Sequence, residues 1–103
     1  MLYLVDIDAT VDRGLAIEAA GGPGPTFKHI VERFKPDQAH FTPDARRIFL
    51  IVDLDPVRMV ELMAIATRAS GAEPRFMPVL PLSEAMQVIG EAMQHAATAP
   101  KVG

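Results

Sequence analysis

The stretch Val5-Asp6-Ile7-Asp8 returns later in the chain as Val52-Asp53-Leu54-Asp55, each time closing a run of β-forming residues. Two hydrophobic segments built and ended alike imply two like strands, and the fold must house both. In Leu2 to Asp8 the residues alternate, with Tyr3, Val5 and Ile7 on one side and Leu2, Leu4, Asp6 and Asp8 on the other. Arg46 to Leu54 repeats that alternation and is the strongest strand pattern in the sequence. The acid-apolar-acid strings are either a site or the way two similar strands end.

The intervening text supplies helices. Thr10 or Asp12 can open a short helix over Val11 to Ala20, and Gly-Gly-Pro-Gly-Pro at 21–25 must stop it, since neither residue type suits a helix interior. Phe27, Ile30, Val31 and Phe34 then fall at i, i+3, i+4 and i+7, the apolar stripe of a second helix closed by Pro36. Gln38 to Thr42 reads as a short strand and Pro43-Asp44 as a turn. Asp55-Pro56 offers an N-cap followed by proline at the first helical position, and Gly71 a place to end the helix. Met59, Val60, Leu62, Met63 and Ala66 supply its apolar residues. Arg75 to Val79 is a last strand, set at a sheet edge by Pro74 and Pro78. Ser83 is expected to cap a final helix over about 83–97 with Met86, Ile89 and Met93 on one face, and 98–103 to form a loose tail.

This order, two β-α-β units side by side plus an extra helix, predicts an α+β domain over residues 1–97. The expected architecture is ferredoxin-like βαββαβ with a four-stranded antiparallel sheet and an additional C-terminal helix. At 103 residues the chain is one domain with a modest core. A net charge of −3 with scattered Lys and Arg argues against a nucleic-acid surface. With no cysteine, disulfides, thiolate catalysis and cysteine metal sites are excluded. Apolar runs such as Ile48 to Val52 are far too short to span a membrane, and the N-terminus lacks the positive region of a signal peptide. A soluble cytoplasmic protein is the expectation.

In such a fold the helices cover one face of the sheet. Val5, Ile7, Ile48, Leu50, Val52 and Leu54 have the parity of that face. Leu2, Leu4, Phe49 and Ile51, with Met77 and Val79, fall on the other beside Asp6 and Asp53. Apolar surface of this extent is rarely left in water. Either a second subunit or the C-terminal helix must cover it, and a twofold that joins identical faces predicts a homodimer.

The strings YLVDIDAT, GGPGP, IVERFKP and MVELMAIA, with the strand order and the half-apolar face, resemble the dimeric α/β-barrel superfamily over residues 1 to about 80. That superfamily includes muconolactone isomerases, small cofactor-free or haem-dependent monooxygenases and stress-responsive barrel proteins. The chain is most similar to its short bacterial members of unknown function. The resemblance implies subunits that press their sheets together. Its motifs are structural, so it carries no catalytic residue onto this chain. The Asn and Trp that accompany a His in haem-degrading members are absent from the sequence.

Candidate chemistry gathers on the uncovered face. If the strands pair about their centres, Asp6 and Asp53 are diagonal neighbours roughly 7–8 Å apart, and desolvation would raise a carboxyl pKa as a general acid or base requires. The competing expectation is that both carboxylates are solvated or paired with Arg47 or Arg75. Asp55 is read as a helix cap and Asp8 as a turn residue. His40, sharing a strand side with Gln38 and Thr42, is a candidate acid, base or hydrogen-bond donor, or else an exposed strand histidine. Arg47 would hold a carbonyl or carboxylate, and Phe49, Ile51 and Met77 would supply apolar walls. The three histidines have no metal-ligand spacing, and no metal or cofactor is expected. The glycine-proline loop matches neither a phosphate-binding nor a dinucleotide signature and is read as a rigid turn. Two functions remain open. One is binding or proton-transfer conversion of a small apolar or aromatic metabolite. The other is a non-catalytic oligomerisation or regulatory module with an interface filled by side chains.

Overall fold

The computed structural model describes residues 1–101, so positions 102–103 of the expected tail lie outside it. Strands β1 (Leu2–Asp8), β2 (Gln38–Phe41), β3 (Arg47–Asp53) and β4 (Arg75–Pro78) form one open sheet in the order β2-β3-β1-β4, with every neighbouring pair antiparallel. Four helices complete an α+β architecture: α1 (Val11–Ala19), α2 (Gly24–Phe34), α3 (Pro56–Ser70) and α4 (Leu82–Ala96). The proline-bearing β4 is an edge strand, where a missing ladder donor does least harm.

Local chemistry explains most boundaries. The Thr10 hydroxyl accepts from the Arg13 amide at the start of α1, and the Asp55 carboxylate accepts from the Arg58 amide at 2.8 Å at the start of α3. Gly21 and Gly22 carry φ of 106° and 95°, a conformation that ends α1 at little cost only for glycine, and α2 starts two residues later with Pro25 in its first turn. Gly71 ends α3 in the left-handed region at φ 71°. Its missing Cβ also matters, since one placed there would lie 2.6 Å from Arg13 Cγ. The final helix departs from expectation. It begins at Leu82 after Pro81 and has no side-chain cap, so Ser83 sits inside the first turn.

The core follows the strand parity. Val5, Ile48, Leu50 and Val52 are almost fully buried between the sheet and the helices, against Ile30 and Phe34 of α2 and Leu62 and Ala66 of α3. Phe27 and Phe41 meet at 4.1 Å between ring centroids, and Tyr3 meets Phe76 edge-on. Within the predicted stripes, Val31 and Val60 are exposed at 42% and 63%, leaving each helix a narrower contact than its apolar residues suggest.

No residue of α4 is buried. The molecule measures 56 × 32 × 27 Å with a radius of gyration of 17.3 Å, against about 13 Å for a compact domain of this length. The final helix is therefore an arm, and it covers neither face of its own sheet. Among the described residues no helix is long and apolar enough to cross a membrane.

Candidate functional site

The face away from α2 and α3 is organised in cross-strand rows fixed by the register. One row runs His40, Phe49, Asp6 and Arg75 across β2, β3, β1 and β4; the next runs Gln38, Ile51, Leu4 and Met77. Five of the seven residues expected on this face therefore stand in two adjacent rows: Asp6, His40, Phe49, Ile51 and Met77. Arg47 joins them from the neighbouring position on β3, opposite Asp8.

Asp53 does not. It pairs with Leu2, four positions along β1 from Asp6, or about 14 Å at strand rise. The expected diagonal contact between the two aspartates is thus corrected, and the reason is direction. Both acid-apolar-acid strings close the C-terminal ends of their strands, and antiparallel neighbours place those ends at opposite edges of the sheet. Asp53 instead receives the N-terminal ammonium of Met1 at 2.7 Å, which holds its carboxyl below the ordinary range in an exposed position.

Asp6 is engaged by Arg47 through two hydrogen bonds, Nε to Oδ1 at 3.0 Å and Nη2 to Oδ2 at 2.7 Å. Its side chain is only 15% exposed. The Arg47 hydrogen bond lowers the Asp6 pKa against the opposing effect of burial, with the charges of Arg47 and Arg75 adding to the lowering. The direction is opposite to what a neutral-pH general acid or base needs, so the ion-pair expectation describes Asp6 better than the catalytic one. Arg47 also lies over the Phe49 ring, 5.0 Å from its centroid, so one guanidinium joins the carboxylate to the aromatic wall. His40 is exposed, and its Nε2 stands 3.3 Å from Gln38 Oε1. Leu2, Leu4, Phe49 and Ile51 are half-buried, and Met77 is 57% exposed.

Comparison with protein-family models, with curated proteins and with solved structures gives no match.

Concavities adjoin the sheet on both of its faces. A polar groove of about 280 Å³ at the end of the uncovered face is lined by Asp6, Asp8, Arg47, Glu73 and Arg75 among others. Two others lie beneath α1, towards the helices. One, of about 210 Å³, is walled by Ile7, Ile17, Phe27, Ile30 and Ile48, with Arg13 and Arg46 on its border. A second, of about 380 Å³, shares Ala9, Ile17, Pro23, Ala45 and Arg46 with it, so the two form a continuous cleft. Attention to the uncovered face passes over Arg46. The signal for it is strand alternation: consecutive Arg46 and Arg47 must send their side chains to opposite faces, so one arginine goes under the helices. Among the described residues no three His, Cys, Asp or Glu side chains converge as a metal-binding group.

Proposed function

We propose that the chain is a ferredoxin-like βαββαβ subunit that acts as a homodimeric, non-catalytic assembly or regulatory module, with two sheets facing each other in a dimeric α/β barrel. The observation that carries this reading is the coexistence of two unpartnered apolar surfaces in one chain, the uncovered sheet face and the stripe of α4. On α4, Leu82, Met86, Ile89 and Met93 share one side at i, i+4, i+7 and i+11, and their exposures run from 54% to 85%. Two strands of seven residues and two of four, about 4.8 Å apart and rising about 3.4 Å per residue, make a face of roughly 360 Å² in plan. The α4 stripe extends that toward the roughly 800 Å² per partner of a standard interface. The neighbour order β2-β3-β1-β4 supports the topology. The engaged state of Asp6 supports a structural role for the ion pair: buried between two sheets, a satisfied Arg47–Asp6 pair fixes register and orientation more than it adds affinity.

The test is sedimentation equilibrium of the full chain beside Met77→Lys, a change at an exposed position that leaves the core untouched. The expected result is a dimer for the parent and a shift to monomer for the variant. A parent that stays monomeric at high micromolar concentration overturns the reading.

The Arg47–Phe49 contact favours a second reading, in which the paired sheets hold a small apolar or aromatic metabolite beside Phe49, Ile51 and Met77 with Arg47 facing its polar end. In that case His40, not Asp6, is the group to move a proton. Retention of all ligand binding and turnover in His40→Ala and Arg47→Met would remove this reading.

A further inference from the structure

We propose that the pocket beneath α1, on the helix side of the sheet, is a binding site for a small carboxylate with a compact apolar body. This inference does not depend on dimerisation, since every group it uses lies within one subunit and away from the uncovered face. Its walls are Ile7, Ile17, Phe27, Ile30 and Ile48, and its volume is about 210 Å³. A dry cavity of about 150 Å³ lined by such side chains is enough to admit benzene. A single ring or a short branched chain bearing a carboxylate therefore matches the space.

The charge of the border supplies the rest. Two guanidinium side chains, Arg13 and Arg46, line the pocket and no Asp or Glu does, while Glu18 and Asp44 line the adjoining part of the cleft, in a chain whose net charge is −3. Arg13 spends one nitrogen on the Arg68 carbonyl. Arg46 donates from Nη2 to the Ala9 carbonyl at 3.1 Å, while its Nε is buried without a hydrogen-bond partner. That Nε has almost no accessible surface, so a ligand would reach Arg46 through its other N–H groups, and an anionic oxygen is the acceptor that a guanidinium binds best. Gly14 of α1 makes room for this side chain: a Cβ there would stand 3.3 Å from Arg46 Cγ. Arg46 is thus laid along the border under a helix that buries none of its own residues. The apolar walls take the body of the ligand, and the guanidinium takes its carboxylate.

The experiment is amide-resolved NMR titration of the full chain with benzoate, phenylacetate and hexanoate, and with uncharged benzyl alcohol as the isostere. Saturable shifts are expected at Ala9, Gly14, Thr26 and Ser70 for the carboxylates. Arg46→Met should weaken benzoate by at least about tenfold, the loss that follows removal of one charge-assisted hydrogen bond, while benzyl alcohol changes little. Ala69→Leu, which leaves both arginines in place and fills the pocket, should weaken all four probes and keeps the test decisive if Arg46→Met does not fold. The proposal is overturned if no carboxylate gives saturable shifts at millimolar concentration, or if Ala69→Leu binds them as the parent does. It also falls if the shifts map to Leu4, Phe49 and Met77 and vanish in Arg47→Met, which would place the ligand on the uncovered face instead.

Discussion

Asp6 and Arg47 face each other with both carboxylate oxygens occupied, on a sheet face that is about half apolar, and this pair sets how the protein responds to acid. The hydrogen bonds from Arg47 put the Asp6 pKa below its ordinary 3.8 in the folded chain. Folding therefore favours the ionised carboxyl. The associated stability is complete above the unfolded pKa and is lost as pH falls through the folded value, in the window below about pH 4. Asp6→Asn should flatten the acid limb of the stability curve, read as urea midpoints between pH 5 and pH 2. Arg47→Met leaves a mostly buried carboxylate without its partner, so it should lower the midpoint more at pH 7 than in acid, where the parent loses the contribution of the pair. The double variant should recover part of that loss, because neither charge is then stranded. A pH-independent cost for Arg47→Met would mean that it acts through lost packing on Phe49. The exposed Met1–Asp53 pair is a different case: screened by water on all sides, it should contribute little, and Asp53→Asn should leave the midpoint nearly unchanged.

Among the elements, α3 is held at both ends by named residues. Asp55→Ala removes the cap to the Arg58 amide and should cost about 1 kcal/mol in urea denaturation. Gly71→Ala should cost more than about 1 kcal/mol, because it forces a left-handed backbone and pushes a Cβ toward Arg13. Both signals, Asp-Pro at the start and glycine at the end, were readable in the sequence because capping chemistry is local. Strand parity was readable for the same reason, and Val5, Ile48, Leu50 and Val52 lie where alternation puts them. Register was not, because it is a relation between distant segments. Pairing about the strand centres was expected to bring Asp6 and Asp53 together; the centres do pair, Val5 with Leu50, but between antiparallel strands that leaves the two acids towards opposite edges. Nor was the start of α4 readable: Ser83 is a good cap, but the chain enters the helix from Pro81 before serine can act as one. The pocket beneath α1 was invisible for a third reason, since it depends on how far a short helix with no buried residue stands from the sheet.

On the scale of the whole molecule, the 56 Å length poses an energetic question. A 15-residue helix is at the margin of stability in water even with good helix formers, and α4 also carries Gly90, which weakens it by roughly 1 kcal/mol relative to alanine. Its exposed Leu82, Met86, Ile89 and Met93 gain nothing from burial within their own subunit. Tertiary packing is the usual source of helix stability, so the helix and the apolar sheet face are best explained if each is completed by another copy. Two consequences follow from mass action. The thermal midpoint of the full chain should rise with protein concentration, and far-ultraviolet helicity should fall on dilution as α4 loses its support. A chain cut after Leu80 should keep the core of β1 to β4 with α2 and α3, since no buried residue belongs to α4, yet associate less. Met86→Glu with Ile89→Glu should do the same without shortening the chain. If the thermal midpoint is independent of concentration and both variants sediment like the parent, α4 is an ornament of a monomer and the assembly reading fails.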